Sequence, residues 1–273
     1  GAQASRDLAT DPQWADRFRA LAASDRPDSL MTLQGLGDKG GAIPAAAIEW
    51  LERARAGAGP IDVRLADSEQ IFRELTPAER ERLPVHDGEL LLRLHATGCY
   101  SSRSQLKRRH RQAEQLAHAA ERAAAIAHSL GTRPADRERL REAWLRILAH
   151  EMHDDLTGTS LVEAYRYSAQ DLALSLNDLR QELAEAVGAV ATTLDRTTAG
   201  TPLVVFNALG WERIDLVEIE LAGPAAPTGP LAVFDPEGRE VPSQWHREGE
   251  KWRGCFVSSF PSLSFSLFDV RTS

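Results

Sequence analysis

His150, His153, Asp154 and Asp155 lie close together in the chain, and Thr157-Gly158-Thr159 follows at once. Imidazoles and carboxylates at this spacing can hold a metal ion or present a ligand. The same residues can also do less. A His-Asp pair at a helix end is often a capping pair, with the imidazole near the negative end of the helix dipole. His153 alone is too few for a catalytic zinc, which takes three protein ligands and keeps an open position. Any metal role for His153 therefore needs partners from elsewhere in the fold.

The element that must position these residues is the run before them. Leu140, Trp144, Ile147, Leu148 and Met152 recur at helical spacing, which predicts a helix from Ala135 to about His153. Continued at about 100° per residue, it sets His153 opposite the apolar stripe, with His150 beside it. Ser160 and Glu163 form a capping-box pair, so a second helix is expected to open there and run towards Thr198. Its seam is Tyr165, Ala169, Leu172, Leu176, Leu179, Leu183, Ala186 and Val190, at alternating steps of four and three.

An earlier helix is expected from a capping box at Ser102 and Gln105 to about Ser129, with a core face of Leu106, Ala113, Leu116, Ala120, Ala124 and Ala127. Gly131 and Pro134 punctuate the turn after it. Three long helices joined by short turns make a three-helix bundle. Lys107–Arg111 is a basic run, but it lacks interleaved aromatics. A solvated or salt-bridged face is the favoured reading over a nucleic-acid patch.

The flanks read differently. Before the helices, Trp14, Phe18 and Leu21 suit a short helix and Ser29–Leu33 a buried strand; Gly35–Gly41 is a glycine loop, and Pro44 opens a helix over Ala45–Arg55. Ile61–Leu65 is expected as a strand, Ser68–Leu75 as a helix, and Leu91–His95 as a strand or extended crossing segment. The glycine loop fits neither a P-loop nor a dinucleotide fingerprint. Beyond Gly200, strands are expected at Leu203–Asn207, Leu216–Leu221, Leu231–Phe234, Val241–Trp245, Trp252–Val257 and Ser264–Val270, a set of sandwich type. Asp235–Gly238 reads as a tight turn. No catalytic constellation appears in that region.

The fold class expected is multidomain α+β: an α/β barrel remnant over residues 1–85, a three-helix bundle over 86–200, and a β-sandwich-like domain over 201–273. The chain has 273 residues and a formal net charge of -8, which disfavours a general nucleic-acid binder. No apolar run approaches the roughly 18 residues of a membrane helix. Two distant cysteines, Cys99 and Cys255, form no metal or redox motif and suit a reducing cytoplasm. Gly1 rather than Met opens the chain, so a tag remnant, a processed end or a truncation is expected there.

Four blocks in order resemble glycoside hydrolase family 38, the retaining, metal-dependent α-mannosidases. Gly35–Gly41, with Asp38, resembles the glycine loop late in the family's catalytic barrel. Pro84–Leu90 and then His95–Lys107, with Gly98, Tyr100, Ser101 and Ser102, resembles the approach to its central helical domain. His153-Asp154-Asp155-Leu156-Thr157-Gly158-Thr159 resembles its His-Asp-x-x-x-Gly-Thr/Ser corner. Pro202–Asn207, with Trp211 and Arg213, resembles the first strand of its C-terminal β region.

The resemblance implies that His153 ligates zinc and Asp154 hydrogen-bonds sugar hydroxyls, with Asp38 and Tyr100 near the site rim. It implies an α-mannosyl carbohydrate substrate, in a bacterial and cytoplasmic setting, with no nucleic-acid or membrane partner. Homo-oligomerisation stays open. Full family members also carry, upstream, a His-x-Asp metal pair and two catalytic carboxylates, about 5–5.5 Å apart for retention. Nothing before Gly35 resembles that block, so the chain is expected to lack the nucleophile, the acid/base and an N-terminal catalytic domain. It departs from many relatives at Met152, where they have a second histidine, and from some at Ala96, where they have an aromatic. A substrate variant such as a phosphorylated mannosyl compound, and a non-catalytic helical and β interaction module, are the competing expectations.

Overall fold

The computed structural model describes residues 42–57, 62–93, 95–222 and 229–272, together with Asp16, Arg19, Ala20, Ala23 and Met31. The chain divides into two compact units, Gly1–Leu91 and Leu92–Ser273. Of the helix expected around Trp14–Leu21 only Asp16, Arg19 and Ala20 are described, and they are helical; Trp14, Phe18 and Leu21, the glycine loop with Asp38, and all of the Ser29–Leu33 strand but Met31 lie outside the described residues.

In the first unit three helices are described: α1 (Ala45–Ala56), α2 (Gln70–Glu74) and α3 (Pro77–Glu81). Pro44 precedes α1 in an extended conformation. The opening of α3 is a full capping box: Thr76 Oγ1 accepts from the Glu79 amide, Glu79 reaches back to the Thr76 amide, and Pro77 fills the first turn. The strand expected at Ile61–Leu65 does not form over its described part, where Leu65 is exposed. A strand needs a ladder partner for its backbone, and no strand is described in this unit to provide one. The helix expected at Ser68–Leu75 is reduced to α2.

In the second unit a 3-10 turn, Thr97–Tyr100, leads into α4 (Ser104–Ser129), α5 (Arg137–Ala149) and α6 (Val162–Ala191). The segment expected as a strand or crossing at Leu91–His95 is irregular where described. α4, α5 and α6 share one core. From α4 it takes Leu106 and a row of alanines from Ala113 to Ala127, from α5 Leu140, Ala143 and Ile147, and from α6 Leu172, Leu176, Leu179, Ala186 and Val190. Alanine at the contact lets the helix axes approach closely, which is why α4 reads as alanine-rich on one face and charged on the other.

α4 ends in a Schellman motif. Gly131 adopts φ 67°, its amide donates to His128 O, and the Thr132 amide donates to Ala127 O. Asp136 then caps α5 by accepting from the Arg139 amide at 3.0 Å.

Two capping expectations fail. Ser102 donates its hydroxyl to Thr157 O, and α4 is instead preceded by Arg103 in the left-handed region, φ 54°, with no side-chain cap. The Ser160 amide donates to Tyr165 Oη, and α6 starts after Leu161 without a side-chain cap. At Ser102 a carbonyl 55 residues away takes the hydroxyl that a local cap would have used; at Ser160 the amide goes to Tyr165, five residues on in α6.

Among the described residues, seven antiparallel strands follow in two sheets. β1 (Thr201–Asn207), β7 (Ser264–Thr272), β3 (Leu231–Phe234) and β4 (Glu240–Val241) form one sheet in that order; β2 (Arg213–Leu221), β6 (Lys251–Phe260) and β5 (Ser243–Glu248) form the other. Val233, Phe268 and Val270 of the first sheet bury with Ile219, Phe256 and Phe260 of the second in a single cluster. Trp245 stands opposite Gly254 in the β5–β6 ladder, and its indole occupies the space where a Cβ on Gly254 would sit, 2.3–2.6 Å away. The expected turn forms at Asp235–Gly238, with the Gly238 amide donating to Asp235 O and φ 77° at the glycine. The sheets join the helices through Phe206 and Phe265, stacked at 4.6 Å against the helical core, and through Arg122, which donates to Ala208 O at 2.7 Å.

Candidate functional site

The turn between α5 and α6 is a folded corner rather than a helical extension. α5 stops at Ala149, and residues 150–158 form successive turns, so His153 does not sit on the helix as its spacing predicts. The physical reason lies at His150. Its Nδ1 meets Asp155 Oδ2 at 2.6 Å and its Nε2 meets Asp171 Oδ2 at 3.2 Å, and Ser168 donates to Asp155 Oδ2 at 2.9 Å. His150, Asp155 and Ser168 are buried together, and this polar cluster pulls the chain out of helical geometry. His150 thus holds the corner together from inside the fold.

The corner is closed by its own backbone. The amides of Thr159 and Ser160 both donate to Asp154 O, and Gly158 N donates to Asp155 O at 3.0 Å. From behind, Lys107 donates its ammonium to Leu156 O and Ser102 O, both at 2.6 Å. Arg103 lies over the Tyr165 ring at 4.3 Å. Part of the expected solvated basic run is thus built into the fold: Lys107 is half-buried and His110 buried, while Arg108, Arg109 and Arg111 are exposed.

What this frame presents is His153 and Asp154. The His153 side chain is 84% exposed and that of Asp154 44%, with His153 Nε2 3.4 Å from Asp154 Oδ2. The Thr157 hydroxyl donates to the His153 carbonyl, and Thr159 donates to Asp154 Oδ1 at 2.8 Å. One carboxylate oxygen of Asp154 is therefore held from within the corner, while the other faces the imidazole. An exposed imidazole beside an oriented carboxylate can bind a cation or accept from hydroxyl groups.

The donor type at His153 suits zinc, but the number of donors does not. Among the described residues, no set of three ligating side chains includes His153. The corner can contribute to a zinc site as one ligand and does not form one by itself. Tyr100 is half-exposed and uses its Oη to accept from the Leu92 amide at 2.7 Å; its segment reaches the corner through Ser102 and Thr157. Asp38 lies outside the described residues.

Sequence reasoning missed one cluster. His110 and Glu114, one turn apart on α4, come together with Glu151 from the corner. The i, i+4 pair on one helix was visible in the sequence; the arrival of Glu151 was not, because it depends on where α5 ends.

Residues 94–190 match the family described as the α-mannosidase middle domain. The chain is 28% identical to α-mannosidase 2C1 of Homo sapiens over 200 residues, 71% of this chain and 18% of that protein. It is 30% identical to α-mannosidase 2C1 of Mus musculus over 196 residues, 68% of this chain and 18% of that one. The chain thus spans less than a fifth of the curated relatives it matches. The crystal structure of a glycosyl hydrolase family 38 protein from Enterococcus faecalis superposes with a TM-score of 0.59 at 16% identity, covering 95% of this chain and 33% of that one. That likeness is one of fold.

Proposed function

Because this chain belongs to glycoside hydrolase family 38, we propose that it forms part of a retaining, metal-dependent α-mannosidase that cleaves terminal α-mannosyl linkages. The observation that carries this reading is the pairing of an exposed His153 with an oriented Asp154 on a corner braced by Lys107, Ser102 and Tyr165. In it, His153 is one zinc ligand and Asp154 accepts from sugar hydroxyls. The family resemblance assigns Tyr100 and Asp38 to further sugar contacts. Residues 1–85 are the end of an α/β catalytic domain, 86–200 the central three-helix bundle, and 201–273 the start of a β-sandwich domain.

The nucleophile and the acid/base lie in a preceding segment, together with the other zinc ligands, so the 273 residues alone are inactive. The metal, when bound, supplies a Lewis-acid hold on the sugar hydroxyls. This chain's own part is positional. The Thr159 hydroxyl holds the Asp154 carboxylate, and the corner amides hold its backbone carbonyl, before any sugar arrives, which avoids ordering the carboxylate at the moment of binding. The two free thiols, Cys99 and Cys255, fit a cytoplasmic setting. Among the described residues no helix is long and apolar enough to cross a membrane.

The test uses the chain extended at its N-terminus by the preceding coding sequence, assayed on an aryl α-mannoside. Asp154→Asn keeps the shape but removes a charged acceptor worth about 1.5–3 kcal/mol, so kcat/KM is expected to fall about 10- to 150-fold. His153→Ala is expected to lose metal as well as activity. Unchanged kcat/KM in both variants would overturn the proposal and leave the interaction module as the better reading.

A further inference from the structure

We propose that His110, Glu114 and Glu151 form a binding site for a divalent transition-metal ion that does not use His153. His110 is buried within α4, and its Nε2 has no hydrogen-bond partner. Buried ring nitrogens are otherwise satisfied, so one without a partner calls for an explanation. Nε2 faces Glu151 Oε1 at 3.6 Å, and one ligating atom from each of the three residues falls within 4.8 Å of the others. Two ligands on a tetrahedral ion at about 2.1 Å stand about 3.4 Å apart, so the His110–Glu151 pair at 3.6 Å is nearly in place and the widest pair closes by up to about 1.4 Å around an ion.

The elements explain why these three side chains meet. His110 and Glu114 are four residues apart on α4 and share a face. The end of α5 at Ala149 then directs Glu151 back over that face; a helix continued to His153 would have carried it elsewhere. Glu114 is partly buried; its Oε2 pairs with Arg111 at 3.2 Å and lies 3.8 Å from His110 Nδ1. One imidazole with two carboxylates and an open position suits zinc, cobalt or manganese. Magnesium and calcium prefer all-oxygen sites.

Cobalt(II) titrated into the 273-residue chain is the direct probe, because its ligand-field bands report coordination by protein atoms without any assay of activity. The expected result is one equivalent bound with such bands, retained in His153→Ala and resistant to excess magnesium. His110→Gln and Glu151→Gln should each weaken binding by about tenfold or more. Glu151 is half-exposed, so its variant is expected to keep the wild-type helical circular dichroism even if the buried His110 variant does not fold. Absence of binding would overturn the proposal and make the cluster an ion pair only. So would binding that survives Glu151→Gln, or binding lost in His153→Ala, which would assign the ion to the His153 corner.

Discussion

Replacing Glu182 with alanine is expected to destabilise the chain by about 3 kcal/mol, at the low end of the 3–5 kcal/mol range for breaking a buried pair. The Glu182 side chain is fully buried in the middle of α6. It accepts from Arg133 through both oxygens, at 2.7 and 2.8 Å, and from Arg139 at 3.2 Å. This bidentate bond holds the Arg133 guanidinium further above its ordinary pKa. Arg133 and Arg139 come from the α4–α5 turn and the first turn of α5, so one carboxylate ties three helices together. Glu185 also bonds both arginines, which keeps them paired in the variant and places the loss at the lower end. Urea denaturation measures it, and an exposed control such as Arg108→Ala should stay within about 0.5 kcal/mol of the wild type. A Glu182→Ala loss below about 1 kcal/mol would show that burying the carboxylate costs nearly as much as its bonds return.

Gly158→Ala is expected to cost about 2–5 kcal/mol, and more than Gly131→Ala. Both glycines have positive φ, 88° and 67°, so both variants take on left-handed strain of about 1–2 kcal/mol. Only at Gly158 would the new Cβ also collide, at 2.2 Å from Ser102 Oγ, 3.0 Å from Ser102 Cβ and 3.2 Å from Arg103 Cγ; at Gly131 the space is open. Crowding a packed site adds about 1–3 kcal/mol. Ser102 cannot turn away freely, because its hydroxyl is bonded to Thr157 O. Its displacement loosens the turn that aims Asp154. Equal destabilisation of the two variants in urea would mean that the close approach of the Ser102 segment contributes nothing.

These two residues mark where the sequence was legible and where it was not. The core faces of α4 and α6 follow from spacing alone: Leu106, Ala113, Ala120 and Ala124 on one, and Leu172, Leu176, Leu179 and Val190 on the other, are buried as their period requires. The same period prefers Leu183 to Glu182, yet Glu182 is the buried one, because Arg133 lies 49 residues away and no local pattern announces it. The six strand segments beyond Gly200 were readable from β-branched and aromatic runs, with the split of β4 from β5 missed, whereas the run at Ile61–Leu65 formed no strand over its described part. At the corner, the residues that matter were legible as types and their geometry was not. Whether α5 ends at Ala149 or His153 is decided by Asp155, Ser168 and Asp171 gathering around His150, and by Lys107 reaching Leu156 O. Ser102 and Ser160 have the chemistry of helix caps, but Ser102 bonds Thr157 across the fold and the Ser160 amide bonds Tyr165 in the first turn of α6.

The account of the corner as a contributor to a sugar site, incomplete without a preceding catalytic segment, is open to one direct measurement. It is the release of nitrophenol from 4-nitrophenyl α-mannoside by the 273-residue chain, side by side with the chain extended at its N-terminus. The expected result is hydrolysis by the extended chain and none by the 273 residues, with or without added zinc. Hydrolysis by the 273 residues would place the catalytic carboxylates inside this chain and contradict the division of labour proposed for it. Failure of both would contradict the α-mannosidase assignment itself.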